Sequence, residues 1–589
     1  MLHHPLKQAI VRDAPPPIPC LESLPALLHR IYARRGIVSP NQLDLSLQQL
    51  PDPRHLFGMP EMTRILADAI AKDQRVLVIG DYDADGATAT AVALLGLRAL
   101  GLRHIDYLVP NRFEYGYGLT PEIVTLAKDR SPDILLTVDN GISSHEGVAA
   151  AQNSGIKVLI TDHHLPGETL PAADAIVNPN LVGDPFPSKA LSGVGVLFYV
   201  LLGLRQTLRA QGYFERTGRP EPQLGQLLDF VALGTVADVV GLDQTNRILV
   251  RQGLRRIQSD QAHPGIRALI AVAGKKAAEL SAQDLGFTLG PRLNAAGRLD
   301  DMSLGIECLI ASSEEAARPM AEALSTLNQE RRVIEQQMRD EALQQIERLT
   351  PLEDNQPILC LFQASWHQGV VGIVASRIKD RTHRPVIAFA INELNPNELK
   401  GSARSVPGVH IRDLLADVAT RHPGLITRYG GHAMAAGLSL PHAALARFSA
   451  AVIEEMQRRS DDQVTAIALQ SDGSLSADQI SLSTAELLFE AGPWGQGFPE
   501  PLFDGDFEVM DQRIVGEHHL KLTLRPEGGG SPVDAIAFNV ENPGAWLRFR
   551  NLKIAYRLDI NRFRGRKSVQ LRIEYMTPRL VSASVPQGL

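Results

Sequence analysis

Apolar runs, many of them β-branched, recur between about residues 75 and 180 and alternate with amphipathic stretches at helical spacing. They predict strands at Val76–Ile79, Ile105–Val109, Ile134–Val138, Lys157–Thr161 and Ala175–Val177, with Ala87–Leu95 as the helix that follows the first. Alternation of this kind implies a mostly parallel sheet with helices on both faces, here expected over residues 56–262. Ser313 to Leu349 is rich in Glu, Ala, Gln, Arg and Leu and predicts one long helix within a helical connector, 263–350. A second α/β unit is expected over 351–462. Over 463–580 the pattern changes to short alternating runs (Leu520–Leu524, Ala535–Phe538, Ile554–Leu558, Ser568–Ile573), which predict an antiparallel, OB-like barrel. Residues 1–55, with Pro15-Pro16-Pro17 and a short helical pattern from Leu24 to Tyr32, read as an arm with no chemistry of its own.

Polar chemistry collects where the apolar runs end. Val76–Ile79 runs through Gly80 into Asp81, Asp83 and Asp85, three carboxylates at alternate positions in a turn closed by Gly86. Ile134–Val138 runs into Asp139-Asn140-Gly141, and Val158–Thr161 into Asp162-His163-His164. The apolar stretch before Asp238 reads as a buried helix, so Asp238 needs a partner to offset its desolvation. Carboxyl ends of adjacent parallel strands lie under about 5 Å apart, so these residues can converge. Singly, each is an ordinary cap or turn residue. Four such clusters in one predicted domain are more than chance supplies, and crowded carboxylates call for a cation.

Composition sets the limits. Hydrophobic content of 44% and charge of 21% over 589 residues describe an ordinary multidomain globular chain. Cys20, Cys308 and Cys360 have no CxxC spacing, which argues against a disulfide framework and a structural zinc site. No stretch suits a membrane span and no signal pattern opens the chain, so a cytoplasmic protein with no membrane partner is expected. A net charge of −7 weakly disfavours nucleic acid. The tail points the other way, because Arg548, Arg550, Lys553, Arg557, Arg562, Arg564, Arg566 and Lys567 interleave with Phe549, Tyr556 and Phe563. Cations beside aromatics suit a groove that tracks phosphates and stacks bases.

Asp81–Gly86, Val138–Gly141, Asp162–His164 and Gly234–Asp238 resemble, in order, the four motifs of the DHH phosphoesterases. Pro110–Phe113, Gly116–Gly118, Leu293–Arg298, Trp366–Gly372 and Gly430–Gly437 narrow the resemblance to the RecJ family within them. The resemblance implies a DHH catalytic domain, a DHH-associated substrate domain and a nucleic-acid-binding barrel. It implies a single-strand-specific 5′→3′ DNA exonuclease of recombinational and mismatch repair, whose partners are single-stranded DNA, single-strand-binding protein and a RecQ-type helicase. A monomer is expected.

The resemblance also assigns residues. Two divalent ions, Mn²⁺ or Mg²⁺, are implied, with Asp139 between them. Asp85, His163 and Asp238 would complete one shell and Asp83 would lead the other. Asp81 either joins the second or stands behind it, since Ile79 occupies the place of an upstream histidine ligand in smaller relatives. Asp162 is expected to orient an imidazole and His164 to contact phosphate. Candidates for holding the DNA are Arg112, Asn294, Arg298, Arg377, Arg404, Gly431 and His432; Gly193-Val194-Gly195 is too short a glycine signal to join them. Two other readings share these residues: a DHH hydrolase of short oligonucleotides or cyclic dinucleotides, and a non-catalytic single-strand-binding scaffold.

Overall fold

Five apolar strands carry the acidic turns: β1 (Arg75–Ile79), β2 (His104–Leu108), β3 (Ile134–Val138), β4 (Lys157–Thr161) and β5 (Ala175–Val177). They pair in the order β2-β1-β3-β4-β5, parallel throughout. Leu77, Ile79, Leu135, Val158 and Ile160 pack on one face against Leu119, Ile123, Val124 and Val148. Burial on both faces explains why β1, β3 and β4 read as apolar runs. The chain leaves β1 for β2 on one side and β3 on the other. The crevice at the carboxyl ends of β1 and β3 is therefore the switch point of the sheet, where ligands bind in open α/β folds.

Helices frame that crevice: α1 (Ala84–Leu100), α2 (Gly193–Ala210), α3 (Leu228–Ala237) and α4 (Gly290–Leu299), the last entered through a π-helical turn, Leu285–Leu289. The long connector helix is α5 (Glu314–Glu347), capped by Ser313, whose Oγ accepts the Ala316 N–H at 3.2 Å. Its Met338 and Ala342 pack against Trp366, Val370 and Val374, and Trp366 Nε1 donates to Glu341 at 2.9 Å. Beyond it lie α6 (Val371–Thr382) and a mixed sheet of β6 (Leu359–Phe362), β7 (Val386–Asn392), β8 (Asn395–Arg404), β9 (Arg428–Gly431) and β10 (Ala435–Pro441), ordered β9-β10-β8-β7-β6.

The computed structural model describes residues 10–12, 21–110, 115, 118–348, 356–459, 469–540 and 542–579. Two units emerge from their contacts. Pro51–Val240 and Gln252–Val464 form the unit just described; Met1–Leu50, Gly241–Arg251 and Thr465–Leu589 form the other. No helix among the described residues is long and apolar enough to cross a membrane.

The second unit holds a closed barrel of β11 (Phe503–Val515), β12 (His519–Pro526), β13 (Val533–Ala537), β14 (Asn551–Phe563) and β15 (Arg566–Pro578), in the order β11-β12-β13-β15-β14. The alternating runs of the sequence are its in-and-out faces. The early residues belong with it. Ile10–Val11 pairs in parallel with Leu469–Gln470, Arg12 grips Asp504 with two hydrogen bonds of 2.9 and 2.7 Å, and Arg35 grips Asp472 at 2.9 and 3.0 Å. Tyr32, Trp494 and Phe498 stack, with the Arg247 guanidinium 4.3 Å above the Phe498 ring.

The basic, aromatic tail serves two purposes, and only one fits a nucleic-acid groove. Tyr556 is buried in the barrel, and Arg557 is bound to Glu574 at 3.0 Å and to the Glu500 carbonyl at 2.6 Å. These two are structural. Phe563 is 64% exposed beside the Arg564 guanidinium at the β14–β15 turn.

Candidate metal centre

The acidic turn is built by its own backbone. Asp83 caps α1, its Oδ1 accepting the N–H groups of Asp85 (2.9 Å) and Gly86 (3.0 Å), while Asp81 Oδ1 accepts the Tyr82 N–H at 2.8 Å. A Cβ on Gly86 would lie 2.6 Å from that of Asp81, so only glycine lets the turn close this tightly. Across the crevice, Asp139 leaves β3 in the left-handed region (φ 64°), a conformation Asp tolerates better than most residues. Asn140 pins the two strand ends together, its Nδ2 donating to the carbonyls of Ile79 (3.1 Å) and Val138 (2.9 Å).

The predicted ligands come together as two sets with no residue in common, linked by a third of Asp139, His163 and His164. Oxygen or nitrogen atoms of Asp85, His163 and Asp238 lie within 4.8 Å of one another, and so do those of Asp81, Asp83 and Asp139. Asp139 joins them: His163 Nε2 is 3.0 Å from Asp139 Oδ1 and 3.5 Å from Asp238 Oδ2. Neither His163 Nε2 nor Asp238 Oδ2 makes a hydrogen bond, although both are buried. Since His163 also bonds the Leu191 backbone, that bond falls to Nδ1 and leaves Nε2 facing the carboxylates.

Electrostatics make the cluster costly without a cation. Burial, then the charge of Asp83, pushes Asp85 up to about 7. Asp139 and Asp238 are raised well above the carboxylate range, first by burial and then by repulsion from the other aspartates. Burial and His164 press His163 down to about 4, so its ring is neutral, the form that binds metal. Five carboxylates and one imidazole, with no thiolate, fit hard or borderline divalent ions such as Mg²⁺ and Mn²⁺. Unbonded buried ligand atoms and mutual repulsion together fit a cation at this place.

Asp162 is committed elsewhere. It accepts the His163 N–H (2.7 Å), the His164 N–H (3.0 Å), the Ile142 N–H (2.9 Å) and His164 Nδ1 (2.7 Å). These bonds hold its carboxyl below the usual range in spite of burial. The imidazole it orients is therefore that of His164. Burial works against a charge on His164, but the Asp162 bond and the nearby Asp81 and Asp83 carboxylates outweigh it, and the pKa rises.

The glycines set aside in the sequence prove central. At the start of α2, the N–H groups of Gly193 and Val194 bind Asp85 at 2.6 and 3.0 Å. A side chain on Gly193 would overlap Asp139, and one on Gly234 would come within 2.7 Å of Asp85 Oδ1. A helix N-terminus thus holds a carboxylate here, by the same chemistry that elsewhere holds phosphate.

The residues expected to hold DNA divide. Asn294 and Arg298 have internal partners: Asn294 Oδ1 accepts the Ala84 N–H at 2.7 Å, and Arg298 donates to the Gly369 carbonyl at 3.1 Å. Gly297 lies so close to Tyr82 that a Cβ would overlap its carbonyl oxygen. This motif therefore docks α4 on the acidic turn, and the Asn294 oxygen is engaged there rather than at a phosphate. Arg377 makes an exposed pair with Glu335 at 3.0 Å. Arg404 donates to Ser402 Oγ (3.0 Å) and the Ala403 carbonyl (2.8 Å) against the first turn of α6, where a Cβ on Gly372 would lie 3.0 Å from its guanidinium. Gly431 (φ 137°) ends β9, and His432 stands on the β9–β10 turn with its N–H on the Ala435 carbonyl at 2.8 Å. His432 is close enough to His163 and His164 to act on both electrostatically. Arg112 lies outside the described residues.

Three family models match the chain: the DHH family, N-terminal domain, at residues 75–235; the DHHA1 domain at 355–458; and the RecJ OB domain at 471–575. The single-stranded-DNA-specific exonuclease RecJ of Dickeya dadantii is 53% identical over 561 residues, covering 95% of this chain and 97% of that one. The chain belongs to the RecJ family. The Escherichia coli RecJ of the same description is 51% identical over 558 residues, 94% of this chain and 96% of its own. Among solved structures, RecJ from Thermus thermophilus in complex with Mn²⁺ superposes with a TM-score of 0.79 at 30% identity, over 97% of this chain and 80% of that one. Its complex with Mg²⁺ gives 0.74 at 27%, over 97% and 79%.

Proposed function

We propose that this chain is a single-stranded-DNA-specific exonuclease that hydrolyses phosphodiester bonds from the 5′ end, releasing 5′-mononucleotides. The observation that carries the reading is the pair of ligand sets brought together where His163 Nε2 approaches Asp139 Oδ1 at 3.0 Å, with His163 Nε2 and Asp238 Oδ2 buried and unbonded. In this reading Asp85, His163 and Asp238 would hold one Mn²⁺ or Mg²⁺ ion and Asp81 and Asp83 the second, with Asp139 available to both. Two such ions, when bound, stabilise the attacking and leaving oxygens of an in-line displacement.

The chain's own groups do the rest. Gly193 and Val194 fix the Asp85 carboxylate and Asn294 fixes the turn that bears Asp83. Asp162 holds a proton on His164 Nδ1 and, with the Asp81 and Asp83 carboxylates, favours the charged form of a ring that stands ready to bind a phosphate oxygen and offset the charge that grows there. Arg404 supplies positive charge from the second α/β sheet for the neighbouring backbone, and His432, whose pKa is lowered by burial and by the charge of His164, supplies a ring N–H from the same sheet.

Specificity for single-stranded DNA is supported by the names of the relatives and by the RecJ OB domain. The 5′→3′ polarity, the roles in recombinational and mismatch repair, the single-strand-binding protein and RecQ-type helicase as partners, and a cytoplasmic monomer are part of the same proposal, with family membership as their support. Polarity is tested with oligonucleotides labelled at one end. Immediate release of labelled mononucleotide from the 5′-labelled strand supports it, and release first from the 3′-labelled strand refutes it.

A further inference from the structure

Two unusual backbone features meet beside Asp238. Val239, the next residue, has φ 63°, a conformation in which a β-branched residue is strained, and it is 63% exposed. Opposite it runs the π-helical turn Leu285–Leu289, closed by the Gly290 N–H on the Leu285 carbonyl. The turn packs on the end of α3 through two glycines: a Cβ on Gly286 would lie 3.1 Å from Val236, and one on Gly290 would lie 3.0 Å from Ala237. Both features are uncommon and costly, and such features gather at functional sites.

Between those glycines stands Phe287, 77% exposed and more so than Val239. A ring left in water on an ordered turn wastes the burial that a Phe side chain offers. The same segment carries a cation, Arg292, five positions on. Arg292 folds back to donate to the Thr288 carbonyl, and burial together with the charge of Arg332 on α5 makes the Arg292 guanidinium less comfortable as a cation. The carboxylate on the same segment, Asp284, is already taken by Lys275 at 2.9 Å and by Ser281. An exposed aromatic ring, an arginine on the following helical turn and no free carboxylate on the segment match the chemistry of single-stranded nucleic acid, whose bases offer π-faces and whose backbone offers negative charge.

We infer that Phe287, on the turn that packs against the end of α3 beside Asp238, is a stacking subsite for a base of the single strand next to the phosphodiester that is cleaved. The inference rests on the exonuclease reading and deepens it. Stacking accepts any base, so the subsite serves a nuclease without sequence preference, and a paired base inside a duplex cannot reach the ring. It therefore contributes to the selection of single strands.

The test uses the full chain in EDTA, which prevents cleavage, with a 5′-phosphorylated fluorescent oligonucleotide read by anisotropy. Phe287→Ala is expected to weaken binding roughly 5- to 100-fold and Phe287→Leu nearly as much, while Phe287→Trp restores it. With abasic spacers at the 5′-terminal positions, the wild type should weaken by a similar factor and Phe287→Ala should lose nothing further. Phe287→Ala that binds like the wild type, or that loses as much affinity for abasic as for intact DNA, overturns the subsite alone. A wild type that binds no single-stranded DNA overturns the subsite together with the exonuclease reading.

Discussion

Asn294 Oδ1 accepts the backbone N–H of Ala84 at 2.7 Å, so the loop that bears Asp83 is tied to a helix 210 positions further along the chain. Asn294→Ala would leave the first N–H of α1 without its partner, a loss of about 1 kcal/mol, and would loosen the acidic turn. The expected outcome is a weaker metal requirement curve: more Mn²⁺ needed for half-maximal rate, with affinity for single-stranded DNA in EDTA unchanged. Titration of rate against metal, beside DNA binding, separates this from a direct contact with phosphate, which would lower DNA affinity instead.

Gly193 makes the sharper prediction. A methyl group there overlaps Asp139 while its N–H must keep hold of Asp85. Gly193→Ala should fold, since the clash is with a side chain, yet lose roughly 10²-fold or more in kcat through displaced ligands. Circular dichroism and steady-state rates check both halves.

Metal and stability are linked with opposite signs. Asp139 is buried among carboxylates that raise its pKa, so its charge costs stability when no cation is present. Asp139→Asn should be as stable as the wild type or more so in EDTA. Mn²⁺ at about 100 times its Kd should stabilise the wild type by about 2.7 kcal/mol and the variant by much less. Thermal unfolding in the two conditions measures both effects.

In the barrel unit, the acid side of the stability profile depends on Asp504. Burial opposes its charge, but the Arg12 and Ser471 bonds win and hold its carboxyl below the usual carboxylate range. A carboxyl depressed in the folded state stabilises above its unfolded pKa, and that stability is lost as pH falls through the folded value. Arg12→Ala should cost roughly 1–3 kcal/mol near pH 6, and the difference from wild type should shrink below about pH 4. Urea unfolding followed at both pH values reports it.

What could be read from the sequence was local. The strands of the first sheet show because each apolar run stops at a polar turn, and Asp81, Asp83, Asp85, Asp139, His163 and Asp238 show because they sit at those stops. The partners of these residues are distant in the chain and left weaker marks. Gly193 and Val194 look like any short glycine signal until α2 is seen to aim its N–H groups at Asp85. Asn294 and Arg298 are polar residues in a glycine-bearing motif, a pattern that suits phosphate as well as it suits helix docking. The early arm has little periodicity, because its place depends on pairs such as Arg12 with Asp504, 492 positions apart. The cations and aromatics of the tail did not announce which of them the barrel uses, since Arg557 and Arg564 differ only in where the strands put them.

On the proposed reading, Asp139 would serve both divalent ions that the chain needs to cleave DNA. The most direct measurement follows release of mononucleotide from labelled single-stranded DNA by the wild type and by Asp139→Ala, each with Mn²⁺, Mg²⁺ or EDTA. Release is expected from the wild type with metal, none in EDTA, and none from Asp139→Ala under any condition. Undiminished cleavage by Asp139→Ala, or DNA binding by the wild type without cleavage in either metal, would contradict it.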